Sequence, residues 1–380
     1  MSDAWGVYVH VPWCRRRCPY CAFYVEVDRG GDREEFADRV LAEAASRGAP
    51  FRALGAPATV FFGGGTPSRL APDVIGRLVH GLEPTPGAEI TVETNPEDVD
   101  AAWPDAALAA GVTRLSLGLQ TLDPKFARLL NRACTVEVAA ATLAQVAAAG
   151  FASWSVDLIF ALPGQTLADV DADLDRLLAH APPHVSLYGL TYEADTPFAR
   201  ARDQGKFAET DDGAWRDMYA RIVERLAAAG LERYEVSNFA RPGHRSRHNR
   251  LYWTDRPYLG LGPAAHGYRP DGSRYANVRS VDAWQIATDP TADEDPPDRG
   301  TQALDLLVSA IRGVDGVPLA RLGALGYHLD PAAVAAIGAF VTADADRIAL
   351  AGEGWFVADA VTSRLARALV RQRDDAPATD

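Results

Sequence analysis

Over its first 230 residues the chain alternates short β-rich runs with Ala/Leu-rich helical stretches, and this alternation restricts the fold more than any other feature. The runs are GVYVHV (6–11), ATVFFG (58–63), EITVET (89–94), RLSLGL (114–119), SWSVDLIF (153–160) and HVSLYGL (184–190). Helical patterns near 32–48, 71–82, 101–110, 135–149, 167–180 and 211–229 accompany them. Strands interleaved with helices build βαβ units and a parallel sheet. Six units predict a (β/α) barrel or part of one, with an open doubly wound sheet as the alternative. In a barrel the site lies at the C-terminal ends of the strands.

The pattern changes after residue 231. LERYEVSNFARPGHRSRHNRLYWTDRPYLGLGPAAHGY is rich in aromatics, Gly, Pro and His, has no helical period, and reads as strands and ordered loops. TDPTADEDPPDRG (288–300) reads as a linker. Beyond it, 301–312, 331–340 and 358–373 read as helices and RIALAGEGWFV (347–357) as a hairpin, which suggests a small winged-helix-like unit; the closing DDAPATD reads as disordered. The expected organisation is a core barrel over 1–230, a β-rich extension over 231–290 and a C-terminal winged-helix-like domain over 300–375.

Charge and cysteine usage narrow the function classes. A net charge of −13, with 7 Arg against 10 Asp/Glu in residues 301–380, offers no basic face for nucleic acid. No window approaches the ~18 apolar residues of a membrane span. The opening MSDAWGVYVHVPW lacks the basic flank and apolar run of a secretory signal. Four cysteines are too sparse for a disulfide framework and suit a reducing cytoplasm.

Three of those cysteines crowd into VHVPWCRRRCPYCAF, directly after the first strand. Cys14, Cys18 and Cys21 follow C-x-x-x-C-x-x-C. Thiolates suit zinc or an iron–sulfur cluster. Structural zinc takes four ligands, but position 23 is Phe, and Cys134 is distant and reads as a partly buried free thiol. His10, four residues before Cys14, is the candidate to close a zinc site. A 4Fe–4S cluster on three thiolates fits better and leaves one iron open to an external ligand.

Polar residues recur at later strand ends. FFGGGTPS (61–68) follows the second strand, and glycines admit close backbone approach. Glu93 closes the third in TVETNPED. Gln120 ends the fourth, its amide able to donate and accept. Arg132 follows in LNR, a planar guanidinium matched to a carboxylate. Asp157 lies on the fifth, where a carboxylate can bind ribose hydroxyls.

In these motifs the chain resembles the radical S-adenosylmethionine (SAM) superfamily, and specifically its branch related to coproporphyrinogen III oxidases. The resemblance covers residues 5 to about 240 with SAM motifs and reaches about 370 with the C-terminal unit. It implies a partial (β/α)6 TIM-like barrel, a 4Fe–4S cluster on Cys14, Cys18 and Cys21, and SAM on the open iron. It further implies SAM contacts from Gly64, Gly65, Thr66, Glu93, Gln120, Arg132 and Asp157, with Tyr8 and Tyr20 packing on cofactor and Thr191 a weaker match.

Two features choose within the branch. The oxidases carry a further cysteine where this chain has Phe23, and a longer segment before the first strand. HNRLYW (248–253) resembles the H-N-x-x-Y-W signature of HemW-type haem chaperones. A neutral imidazole is a good axial ligand for haem iron. His248 would be that ligand, Asn249 its orienting partner, and Tyr252 and Trp253 a flat apolar surface for the porphyrin. His244 and His266 are the nearby alternatives. Arg241, Arg245, Arg247 and Arg250 are candidates to pair haem propionates. The resemblance implies haem delivery to acceptor haemoproteins of the respiratory type, and leaves room for a homodimer and for membrane association through the acceptor. The alternative is an oxygen-independent coproporphyrinogen III oxidase, in which SAM is cleaved reductively to begin an oxidative decarboxylation.

Overall fold

The computed structural model describes residues 5–372. Six parallel strands run in chain order along one curved sheet: β1 (Gly6–Val11), β2 (Thr59–Gly64), β3 (Glu89–Thr94), β4 (Arg114–Gln120), β5 (Ser153–Phe160) and β6 (His184–Gly189). The crossovers contain α1 (Arg33–Arg47), α2 (Pro72–Leu82), α3 (Trp103–Ala109), α4 (Val136–Ala148) and α5 (Leu167–Leu178), and α6 (Asp212–Ala228) follows β6. On the far side of β6 lies antiparallel β8 (Asn238–Ala240), itself paired with β7 (Glu232–Arg233). The β1 edge is extended by β9 (Tyr258–Leu261), which is parallel, and by the antiparallel β10 (His266–Tyr268), β11 (Arg274–Asn277) and β12 (Thr291–Asp295). The sheet stays open between β12 and β7, a partial barrel.

Side-chain alternation decides what this barrel can hold. Val7, Val9, Val11, Val60, Phe62, Val92, Leu115 and Leu117 are fully buried on the outer face, under Phe36, Val40, Ile75, Leu78, Leu143 and Leu174 of the helices. Strands of period two turn the intervening residues inward. Apart from Phe61, those named here are polar: the register aligns Tyr8 with Phe61, Phe61 with Thr91, Thr91 with Arg114, Glu93 with Ser116, Ser116 with Ser155, and Asp157 with Ser186. A barrel filled by branched apolar side chains is a solid core. This one encloses a polar lumen.

Residues beyond the core depart from the sequence pattern in three places. RHNRLYW, expected as strand or loop, is a helix, α7 (Arg247–Trp253), capped by Ser246 Oγ, which accepts from Asn249 N at 3.2 Å. TADED, expected within a linker, is edge strand β12: its backbone pairs with β11 although its side chains are acidic and exposed. Residues 347–357 are not a hairpin. β16 (Arg347–Leu350) pairs instead with β13 (Val317–Pro318) and β15 (Val341–Ala343), and 352–357 form a 3₁₀ turn. Likewise the helical stretches 331–340 and 358–373 shorten to Pro331–Ala335 and α9 (Ala358–Arg367). β14 (Tyr327–Leu329) pairs with β17 (Leu369–Arg371). With α8 (Arg299–Ala310), these elements bury a core of their own around Leu306, Leu307, Leu322 and Leu365. The stretch DDAPATD lies outside the described residues. Among the described residues no helix is long and apolar enough to cross a membrane.

Candidate functional site

Cys14, Cys18 and Cys21 stand at the lumen's mouth, at the C-terminal end of β1. Their loop is held by Glu26 N donating to Pro12 O (2.8 Å) and Asp28 N to Cys14 O (2.8 Å). A cavity of about 450 Å³ opens beside them, lined also by Tyr20, Gly64, Gly65, Thr66, Glu93, Gln120, Arg132 and Asp157. All the mouth residues singled out in the sequence therefore meet in one cavity except Tyr8, which lines an adjoining one.

Each is positioned by local structure. Gly64 has φ +107°, and a Cβ there would come within 2.5 Å of the His10 ring. Gly65 N donates to Val11 O at 2.8 Å, tying the glycine loop to the strand that bears the cysteines. Thr66 Oγ1 donates to Cys14 Sγ (3.3 Å) and accepts from Asn95 Nδ2 (2.8 Å). A register shift between Gly118 and Gln120 ends β4, and Gln120 takes φ +71°, a strained conformation for a side chain. It turns the amide into the cavity. Arg132 Nη2 donates to Asn95 Oδ1 and Gly118 O, both at 2.7 Å, and Nη1 lies 3.8 Å from Cys18 Sγ. Tyr20 packs edge-on against Phe198. Arg15 and Arg16 also line the cavity, Arg15 paired with Asp98 (2.7 Å) and Arg16 reaching Asn131 (3.4 Å).

The electrostatics suit a charged ligand. Burial opposes the charge of Arg132, but Tyr20 and Cys18 outweigh it and hold the guanidinium firmly protonated. Burial, and then Asp157, push the Glu93 carboxyl up to about 8; its Oε2 accepts from Gly64 N at 3.2 Å. Burial also raises Asp157, which accepts from Ser116 Oγ (3.1 Å) and Ser155 Oγ (3.4 Å). Two carboxyls facing one cavity, with Glu97 Oε2 and Arg132 Nε buried and unpartnered, leave hydrogen-bonding capacity for a polar occupant.

The donor set fits a cluster better than a single ion. Among the described residues no three His, Cys, Asp or Glu side chains converge on one metal position. His10, the candidate zinc ligand, is buried with Nδ1 on Tyr8 OH and Nε2 on Tyr24 O, both 3.0 Å, and burial lowers its pKa to about 4. Three soft thiols on an open loop beside an arginine match an anionic 4Fe–4S cluster, in which three irons would take a thiolate each and the fourth would stay open to an external ligand.

A second cavity, about 520 Å³, continues the first into the lumen; the two share Phe23, Gly64, Glu93, Asp157 and Tyr188. Its floor is α7, from which Asn249, Tyr252 and Trp253 line it. His248 does not. It is 1% exposed behind that wall, stacked on Phe61, with Nδ1 sharing a hydrogen bond with Thr59 Oγ1 (2.7 Å) and Nε2 with Tyr252 OH (2.9 Å). Burial alone lowers its pKa to about 3, so the ring is neutral. Glu89 fixes the helix start by accepting from Arg247 N (3.0 Å) and His248 N (2.9 Å). A Cβ on Gly6 would lie 2.9 Å from His248 Nδ1, so the ring is seated against the first residue of β1.

The remaining cations and histidines are elsewhere. Arg250 pairs with Asp315, Arg247 Nη1 donates to Gly87 O, and Arg245 lies over the Tyr234 ring. His244 shares a hydrogen bond with Ser153, and His266 is exposed. The guanidinium groups that line the lumen are Arg114 and Arg312, which the sequence did not single out. Arg114 was legible as a lone charge opening an apolar run. Arg312 was not, because it arrives from the turn after α8, far along the chain.

A partial barrel that delivers C-x-x-x-C-x-x-C from its first strand to a mouth ringed by strand-end polar groups is radical SAM architecture, and the radical SAM superfamily profile matches residues 8–177. The chain belongs to the HemW family of that superfamily: it is 37% identical over 385 residues to "Heme chaperone HemW" of Mycobacterium tuberculosis, covering 96% of this chain and 95% of the relative. The protein of the same name from Synechocystis is 34% identical, over 73% of this chain and 69% of its own. Among solved structures, the coproporphyrinogen III oxidase HemN of Escherichia coli superposes with a TM-score of 0.79 over 96% of this chain and 90% of its own, at 22% identity, a likeness of fold. Membership of the superfamily implies a 4Fe–4S cluster and SAM.

Proposed function

We propose that this chain is a haem chaperone. It takes haem into the lumen, between the cluster mouth and α7, and passes it to acceptor haemoproteins, respiratory ones among them. The observation behind the proposal is the continuity of the lumen. One polar, aromatic-walled space runs from the three cysteines to the HNRLYW helix, with Tyr8, Phe61, Tyr252 and Trp253 offering flat surfaces and Arg114 and Arg312 offering cations for propionates. The names of the similar proteins support the same reading.

The work divides along the chain. Residues 1–230 hold the cluster on Cys14, Cys18 and Cys21, and SAM against Gly64, Gly65, Thr66, Glu93, Gln120, Arg132 and Asp157. Residues 231–290 supply His248, Asn249, Tyr252 and Trp253 to the haem, and the C-terminal winged-helix-like unit, 300–375, contributes Arg312 to the lumen wall. When bound, cluster and SAM supply one-electron chemistry at the mouth. The chain's own residues orient them: Arg132 balances the thiolates and Glu93 anchors the glycine loop. Phe23 is 70% exposed, lines both cavities, and places an apolar ring where an oxidase of this branch has a thiol. His248 meets haem iron only after giving up Tyr252 or Thr59, so α7 moves when haem binds. Delivery takes place in the cytoplasm, and a homodimer and contact with a membrane-held acceptor are compatible with it.

The test is anaerobic reconstitution with iron and sulfide, then haem titration beside a coproporphyrinogen III decarboxylation assay. Stoichiometric haem binding and transfer to an apo-acceptor without decarboxylation is the expected result. Decarboxylation with little haem binding would make the chain an oxidase despite Phe23.

A further inference from the structure

A third cavity, about 440 Å³, lies at the seam between the barrel and the C-terminal unit, and nothing in the HNRLYW or cysteine motifs points to it. Its barrel wall is an aromatic stack: Trp215 and Tyr219 of α6 lie at 5.3 Å centroid to centroid, and Phe160 of β5 lies 5.3 Å from Trp215. The opposite wall is the 3₁₀ turn that holds Trp355 and Phe356, with Phe356 edge-on to Tyr219 at 5.7 Å. Its volume lies within the range of small-molecule sites, and its lining sets aromatic rings beside polar groups such as Thr191, Ser237, Arg312 and Asp359.

Two further observations say what chemistry fits. Arg312 lines both this cleft and the lumen. Its guanidinium is held by Asp359 at 2.8 Å, a carboxylate whose side chain is 88% exposed. Such a surface pair is weak, and a ligand carboxylate can replace the Asp359 side chain. Tyr188 lines all three cavities and is 43% exposed.

We propose that this cleft is a second seat for the tetrapyrrole, through which haem enters and leaves the lumen: the ring lies against Trp215 and Phe356, and a propionate takes Asp359's place on Arg312. The inference rests on the haem reading of the lumen and adds the route. An aromatic slot beside an exchangeable arginine matches a flat ring with peripheral carboxylates, and a seat that opens to solvent gives an acceptor access to the haem edge that the closed α7 floor does not.

The experiment is stopped-flow haem uptake by the reconstituted full chain, and haem release to apomyoglobin. Ala360→Trp, on the exposed first turns of α9, fills the cleft without touching the lumen. It should slow uptake and release together by about tenfold while leaving the dissociation constant within about twofold. Asp359→Ala frees Arg312 and should speed uptake by about threefold, a gain that general loss of structure would not produce. Unchanged rates in both variants would overturn the proposal and leave the lumen seat intact. Unchanged rates with an altered monomer–dimer balance on sedimentation would also overturn it, assigning the cleft to a second copy of the chain. No haem uptake by the unsubstituted protein would remove the haem reading itself.

Discussion

The two ends of the lumen are built on opposite principles. At the mouth, thiols, carboxyls and a guanidinium face a cavity with hydrogen-bonding capacity to spare, Glu97 Oε2 and Arg132 Nε among it. At the floor, both ring nitrogens and the backbone N–H of His248 are already taken by Thr59, Tyr252 and Glu89. A site with unmet polar groups binds without rearranging. A satisfied imidazole must first surrender a hydrogen bond, each worth about 0.5–1.5 kcal/mol net. The mouth is thus prepared for resident cofactors, and the floor withholds affinity from its ligand. Weak retention suits a cargo that has to be given away.

The largest effect that could break this contrast is loss of the thiols. Replacing Cys14, Cys18 and Cys21 by Ala should reduce bound iron and sulfide to background while haem affinity at the floor changes by no more than about twofold. Loss of haem binding in that variant, read from the same titration, would mean the two ends act as one site.

Next comes the floor's own stability. His248→Ala deletes a buried ring and orphans the Thr59 and Tyr252 hydroxyls, so urea denaturation should show a loss of about 3 kcal/mol. A loss below about 1 kcal/mol would show that the ring is not latched as described.

The ends should also titrate in opposite senses in the cofactor-free protein. Glu93 has its folded pKa raised to about 8 from 4.5, so the folded state binds the extra proton. Its contribution is complete below pH 4.5 and fades as pH rises to 8. His248 has its folded pKa lowered to about 3 from 6.5. Its contribution is complete above pH 6.5 and fades as pH falls toward 3. Stability curves of Glu93→Gln and His248→Gln should lose the alkaline and the acid slope respectively; the same slope lost in both would refute the assignment.

The smallest expected change is also the most specific. Tyr252→Phe keeps the aromatic face and removes one latch from His248 Nε2. It should lower folding stability by about 1 kcal/mol and raise haem affinity by about fivefold. Weaker haem binding in this variant would make the hydroxyl a haem contact instead of a latch.

What was legible in the sequence follows the same division. The six barrel strands and their helices were readable because apolar side chains at period two and period 3.6 face a core. The mouth was readable because strand ends put polar residues where no packing explains them, as at Glu93 and Asp157. The floor was harder. In RHNRLYW the helix presents Tyr252 and Trp253 to a cavity and buries polar His248 behind them, so no apolar stripe appears. The edge strand β12 was hidden because its pairing is a property of the backbone, while TADED reads as solvent-exposed loop. The lumen itself could not be read from one strand at a time. It exists because register places Arg114 beside Thr91 and Asp157 beside Ser186. Arg312 and the aromatic seam require contacts between residues more than a hundred positions apart.

The most direct test is the ligand of haem iron in the reconstituted protein. Optical and electron paramagnetic resonance spectra of ferric haem should show a nitrogen axial ligand in the unsubstituted chain, lost in His248→Ala and restored by added imidazole. A spectrum unchanged by His248→Ala would contradict the account, leaving HNRLYW as a structural floor and placing the haem iron on another residue.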